Sequence, residues 1–434
     1  MVSSERQRLW ASAGYFLLNA KLDERMKLRM WIGLGIAFWA SVQLAPAQKA
    51  LRNVKNYLKQ NNPTEALNEI GRLEADTTSD IRFNPKLYHY GVEANIALNN
   101  VENEKIYLEQ AYDTAKFFST TYGIFDYAIK CERYEQQRLA LKGDRFKYHK
   151  EHGELLRRYH NNLGVAGLFF YRKRQYADAM KYLAQYLDAP LLPLWGSDKE
   201  VMSTPFYRQN AYLYQRCAFR SKQYAEVARY STITLSDSAR RRRSSLEYLS
   251  LAAKELNDSI AFLEYVNMGL RDYPHHPYFF TQMVNYYAQR QAYQQIVALA
   301  DTLLASDTTN LRYMEAKALA YLNLGHYDAA IQIARDGLAI DSTRSEMNYY
   351  IGLAYCSLAN TVLLPTNINS NAYRRASAEQ KAYYQTARTF LERYRQQEPK
   401  KVSRWAPLLY RVYFALNDGA KFEEINEVLK KLFS

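Results

Sequence analysis

The sequence predicts an all-α solenoid built from repeated helix–turn–helix hairpins, and three observations carry that reading. The first is a 34-residue period. Segment 311–344 laid beneath segment 277–310 puts Tyr321 under Tyr287, Tyr327 under Tyr293, Ala334 under Ala300 and Asp341 under Asp307. The second is a pair of apolar stripes at helical spacing in each unit: Met314, Ala318, Tyr321 and Leu322 form one, and Tyr327, Ala330, Ile331, Ala334 and Leu338 the other. Asn323-Leu324-Gly325-His326 separates the stripes as a turn, so each unit is an αα-hairpin. The third is composition. Only 16 Gly and 11 Pro among 434 residues are too few turn-formers for a many-stranded β fold, and 48% hydrophobic with 24% charged residues excludes wholesale disorder. A single hairpin cannot cover its own apolar face, so neighbours must stack. The 39 Tyr suit this task, because each ring buries a face while its hydroxyl stays wet.

In chain order, residues 26–47 read as a signal peptide. Lys27 and Arg29 form the positive start, Met30 to Leu44 the apolar stretch, and Ala45-Pro46-Ala47 the cleavage site, leaving Gln48 as the first mature residue. Residues 1–25 are expected to lie upstream of the true start at Met26. The predicted location is periplasmic or secreted. The lesser alternative is an N-terminal membrane anchor, for which the 15-residue stretch is short of the roughly 20 a spanning helix needs. No Cys follows the cleavage site, so a lipid anchor is not expected. Cys131, Cys217 and Cys356 stand in no C-x-x-C spacing and read as buried thiols.

The mature chain is then divided into N-terminal hairpins over 48–150 with an irregular end at 118–150, central repeats over 151–241, and a C-terminal array over 242–434. Two segments break the period. One is 189–205, Pro-rich and carrying an exposed Trp195; the other is 360–378, between the helices of the eighth unit. Thr343-Arg344-Ser345-Glu346 reads as a capping box for the next helix. Trp405–Leu416 and Lys421–Phe433 read as a pair that caps the array.

The repeat resembles the tetratricopeptide repeat (TPR) family. The residues that carry the resemblance are Ile351-Gly352-x-x-Tyr355, Tyr327-Asp328-Ala329-Ala330, and Pro274 closing unit 243–276. Unit 160–193 fits with Ala166-Gly167 and Tyr176-Ala177-Asp178-Ala179, unit 208–241 fits more weakly, and Pro63-Thr64-Glu65-Ala66 and Tyr90-Gly91-x-x-Ala94 mark the N-terminal units. About eight units cover most of the mature chain. The resemblance implies a right-handed superhelical solenoid whose first helices line a concave groove. By analogy its lining is Tyr278, Thr281, Asn285, Gln289, Arg312, Glu315, Leu319, Asn323 and Tyr349. The family's peptide-carboxylate clamp is missing, since Thr281, Asn285, Ala316, Glu346 and Tyr350 stand at its positions, and chaperone-tail binding is not expected.

Marks of catalysis are few. His149 and His152 lie one helical turn apart but form neither H-E-x-x-H nor H-x-x-E-H, so no metal is expected. His275-His276 falls in an inter-repeat turn and reads as solvated loop. There is no G-x-S-x-G, P-loop or dinucleotide fingerprint, and no cofactor is expected. Arg240, Arg241, Arg242 and Arg243, in a chain of net charge +14, form a candidate basic patch. The run reads first as a solvated charge run; its functional version, for an exported protein, is weak contact with an anionic membrane or cell-wall surface rather than with nucleic acid. The expected function is a non-enzymatic scaffold that holds another protein or peptide outside the cytoplasm, in envelope assembly by analogy. The rival reading is a carbohydrate- or cell-wall-binding module, or an enzyme module, that stacks sugars on the Tyr-rich surface and Trp195.

Overall fold

The computed structural model describes residues 49–143, 145–196 and 200–433, and among these it contains nineteen α-helices and no strand. The signal peptide read at 26–47 and the start at Met26 lie outside the described residues. No described helix is long and apolar enough to cross a membrane. Contacts divide the chain into two units with the boundary between Arg241 and Arg242.

The N-terminal unit runs through α1 (49–59), α2 (Pro63–Ala75), α3 (Pro85–Tyr107), α4 (Thr114–Lys142), α5 (His149–Arg172), α6 (Tyr176–Asp188), α7 (Glu200–Ser203), α8 (Pro205–Arg220) and α9 (Ser231–Leu235). Its helix starts are local. Asn62, Asn84, Asp113 and Thr204 each accept a backbone N–H from the first turn, and Pro63, Pro85 and Pro205 occupy the first helical position, where no N–H is needed. Most of the segment that fits no repeat, 118–150, lies in α4, a 29-residue helix that ends on left-handed Gly143. It packs along α3 in a core containing Leu87, Tyr88, Ala94 and Cys131.

The C-terminal unit contains α10 (Ala239–Glu255), α11 (Ser259–Asp272), α12 (Pro277–Gln289), α13 (Tyr293–Leu304), α14 (Leu311–Asn323), α15 (Tyr327–Ile340), α16 (Ser345–Thr361), α17 (Asn371–Gln397), α18 (Val402–Ala415) and α19 (Gly419–Phe433), the first turn of α10 falling before the boundary. Met314, Ala318, Leu322, Ala330, Ile331 and Ala334, the residues of the two sequence stripes, pack with Met347 and Ile351 of the next hairpin. A Cβ at Gly337 would overlap the Met347 side chain and one at Gly269 the Phe279 ring, so glycine at these positions lets a second helix approach the next first helix closely.

One turn recurs through both units. Asn61, Glu109, Arg174, Lys222, Asn257, Gln291, Gly325 and Asn417 each adopt positive φ, between 52° and 77°. The N–H of the following residue reaches the carbonyl five places back: Asn62 to Tyr57 at 2.9 Å, Gln175 to Phe170 at 3.0 Å, Ala292 to Tyr287 at 2.9 Å, His326 to Tyr321 at 2.9 Å, Asp418 to Tyr413 at 3.0 Å. This is a Schellman turn, which satisfies the orphan carbonyls of one helix while reversing the chain into the next. Asn257, Gln291 and Gly325 are spaced at the 34-residue period.

Three expectations are corrected. Trp195 is not exposed but 1% accessible: the described residues of 189–205 form the 3-10 turns Ala189–Leu191 and Pro193–Trp195 and the short helix α7, and the indole stands edge-on to His160 at 4.7 Å. Arg157 donates to the Trp195 carbonyl, and Gly153 leaves room on α5 for the Leu194 carbonyl. The capping box is not formed. Thr343 is taken up by a turn on Asp341, whose carboxylate accepts its N–H at 2.9 Å and its hydroxyl at 2.6 Å, and Glu346 reaches Lys401 and Arg404 instead. In segment 360–378, residues from Asn371 onward are the start of α17, so only 362–370 is loop.

Candidate functional site

The nine residues expected to line a groove fall into two groups. Thr281, Asn285 and Gln289 stand at successive turns of α12, all exposed, and Arg312, Leu319 and Asn323 are exposed on α14. The other three are spent on packing. The Tyr278 hydroxyl lies 2.9 Å from Ser250 Oγ, joining α12 to α10. Glu315 pairs with Arg344 at 2.9 Å, and its burial holds the carboxyl above its ordinary range. Tyr349 lies beneath the Arg404 guanidinium, 3.9 Å from the ring centroid, and 5.0 Å from the Tyr394 ring.

The exposed α12 row opens into a cleft of about 450 Å³ between this helix and the α10–α11 turn, 253–259. Asn285 and Gln289 line it together with Gln282, Tyr286, Arg290 and Phe262. Tyr286 stacks on Phe262 at 5.6 Å, and the Arg290 guanidinium lies over the Tyr286 ring at 3.7 Å from its centroid. The result is an aromatic floor with four carboxamides lining the same cleft, Asn257, Gln282, Asn285 and Gln289. Each carboxamide both donates and accepts, matching the alternating N–H and C=O of an extended peptide. The sequence reading missed Gln282, Tyr286, Arg290 and Phe262. The signal available for two of them was the i, i+4 spacing of Tyr286 and Arg290.

The remaining sequence candidates are separated or neutralised. His149 and His152 do not converge on one site: His149 Nδ1 contacts Glu132 at 2.9 Å, while His152 Nε2 lies 3.1 Å from His89 Nδ1. Burial, with His89 alongside, lowers the His152 pKa to about 4. Among the described residues no cluster of His, Cys, Asp and Glu is arranged to hold a metal ion. Of the turn histidines, His275 is exposed, whereas His276 is half-buried, 3.6 Å from Glu247 and packed on Phe279. In the arginine run Arg241 pairs with Asp237 at 3.0 Å, Arg242 with Asp272 at 2.7 Å, and Arg243 approaches Glu247 at 3.9 Å. Three of its four charges are thus matched by acids, which weakens its field as a patch. The three cysteines are buried and free, and burial pushes the Cys217 and Cys356 thiols up to about 12.

No family model and no curated protein matches the chain. Solved structures similar to it include the C-terminal part of a TPR repeat-containing protein from Cytophaga hutchinsonii, 12% identical with a TM-score of 0.38, over 60% of this chain and 92% of that one. The TPR domain of P58(IPK) is 12% identical with a TM-score of 0.25, over 86% and 99%. The TPR2AB domain of yeast Sti1, solved as a complex with pHSP90, is 12% identical with a TM-score of 0.23, over 63% and 98%. At such identities and scores the assignment rests on the chain's own geometry: paired helices, a repeated Schellman turn at the 34-residue period, and glycines where hairpins close on one another. By that geometry the chain is built of repeated helix–turn–helix hairpins.

Proposed function

We propose that the chain is a non-enzymatic, exported scaffold that holds an extended segment of a partner protein on the exposed faces of α12 and α14. The observation that carries this reading is the cleft in which Gln282, Asn285 and Gln289 flank the Tyr286 ring. Helical arrays present such continuous side-chain rows to peptides and partner helices. The export half of the reading rests on the segment 26–47, and a mature N-terminus at Gln48 is its expected signature. The rival sugar-stacking reading loses its Trp195 platform, because that ring is buried.

The test places a photocrosslinking residue at Asn285 and, as a control, at exposed Gln295 on α13, followed by irradiation in the producing cells. A discrete polypeptide adduct formed from Asn285 but not Gln295, and reduced at least tenfold by Gln282→Ala with Gln289→Ala, is the expected result. Equal adducts from both positions, or none from either, would overturn the reading.

A further inference from the structure

A second cleft, of about 480 Å³, lies in the N-terminal unit where the start of α3, the last turns of α4 and the α4–α5 connection come together. Four cations line it: Lys86 from the first turn of α3, Arg138 from α4, and Arg145 and Lys147 from the connection. These side chains come from stretches up to 61 residues apart in sequence, so no charge run announces them. Lys86, Arg145 and Lys147 make no ion pair among the described residues, and the Lys86 and Lys147 ammonium groups stand over Tyr90 and Tyr148 at 5.7 and 5.2 Å from the ring centroids.

Glu135 is the only carboxylate among the described residues that line the cleft, and it is 6% exposed. Its oxygens accept the backbone N–H groups of Lys147 at 2.8 Å and Tyr148 at 3.2 Å, so it fastens the connection that carries Arg145 and Lys147. At the other wall Asn84 Oδ1 caps α3 by accepting the Lys86 N–H at 3.1 Å, and Pro85 has no N–H to offer. The helix therefore contributes the positive end of its dipole to the cleft rather than free donors.

Gathering like charges around one concavity costs electrostatic free energy unless an anion occupies it. The shape favours a compact anion over a polymer, since the volume falls within the range of about 300–1,000 Å³ common to small-ligand sites. Guanidinium forks suit phosphate oxygens, and lysine adds point charge. Leu51, Pro85 and the Tyr148 ring supply an apolar wall beside the cations. We propose that this cleft binds a phosphate ester, with Lys86, Arg145 and Lys147 on the phosphate and the Leu51–Tyr148 wall against its organic part.

The phosphate can come from a soluble ester or a lipid headgroup, and the experiment separates the two. Glycerol 3-phosphate binding is measured by calorimetry at physiological salt. Sedimentation with phosphatidylcholine vesicles, with and without phosphatidylglycerol, runs in parallel. The site variant is Lys86→Gln with Arg145→Gln and Lys147→Gln. The control is Arg374→Gln with Arg375→Gln and Lys381→Gln, which removes the same charge from exposed positions of the C-terminal unit. The expected result is that the site variant weakens binding at least tenfold while the control stays within twofold. Loss of glycerol 3-phosphate binding without vesicle binding identifies a soluble ester; loss of phosphatidylglycerol-dependent sedimentation identifies a lipid headgroup. Equal weakening by both variants, no binding of either probe, or displacement by oligoglutamate as readily as by pyrophosphate would overturn the proposal, the last by pointing to an acidic protein segment instead.

Discussion

Segments 189–205 and 360–378 read alike in the sequence, as surplus residues carrying proline and aliphatic side chains, yet the structure treats them in opposite ways. The first is drawn into the N-terminal unit, with Leu194 and Trp195 buried against α5. The second points outward. Gln380 Nε2 bonds the Ala359 carbonyl, so the nine α17 residues 371–379 precede that contact, a length of about 13 Å at about 1.5 Å per residue. Leu363 and Ile368 in the adjoining loop stay 88% and 64% exposed. An insertion folds inward where the helix beside it offers matching chemistry. Helix α5 offers Gly153 for close backbone approach, Arg157 for a carbonyl and the His160 ring for the indole.

The comparison can be broken most directly at Trp195. Trp195→Ala should destabilise the N-terminal unit by about 3–5 kcal/mol, the usual cost of emptying a large aromatic site. Leu363→Ser should change stability by less than about 0.5 kcal/mol, as for other exposed positions. Urea unfolding followed by amide exchange in α5 and α17 reads both, and equal effects would mean that the two insertions do not differ in solution.

Acid sharpens the same contrast. His160 lies face to face with Tyr186 at 4.1 Å, donates from Nε2 to the Tyr186 carbonyl at 2.7 Å, and is held by burial at a pKa of about 4. His152 is likewise near 4. Both folded-state values lie below the ordinary imidazole value, so between pH about 6.5 and 4 the unfolded chain binds more protons. Stability is therefore fully present above that window and falls with falling pH, by up to about 1.4 kcal/mol per pH unit for each histidine. The two buried imidazoles of the described residues both sit in the N-terminal unit, so its amides should lose protection first on acidification, and His160→Gln should flatten that response. Identical acid profiles for the two units would contradict the burial of these rings.

The smallest expected effect concerns what the units share. Gln291→Gly or Asn257→Gly should raise stability by about 0.5–1 kcal/mol, because glycine adopts positive φ without a Cβ penalty, and Gly325→Ala should lower it by about 1 kcal/mol. Shifts in the urea midpoint measure this, and a destabilised Gln291→Gly would argue against the left-handed turn.

Legibility varied with the range of the interactions involved. The hairpins over 277–344 were readable because stripe spacing and a turn residue such as Gly325 are properties of a few neighbouring positions. So was the exposed row Thr281, Asn285 and Gln289, which follows from its place on a first helix. The capping box at Thr343 misled because Asp341, two residues away, competes for the same hydroxyl and N–H. The aromatic floor of the α12 cleft was hidden because Phe262 comes from the preceding hairpin.

By itself, then, the sequence determined an all-helical chain, the period of its hairpins and the inward placing of its thiols, since helix spacing and turn chemistry act within about one repeat. The tertiary structure alone decided the burial of Trp195, the pairing of Arg242 with Asp272, the capture of Glu346 by Arg404 and the meeting of Lys86 with Arg145 and Lys147. Each of these depends on how one segment packs against another that is remote in the sequence. Electrostatic and aromatic contacts sense that separation over a few ångströms, and nothing in local periodicity encodes it.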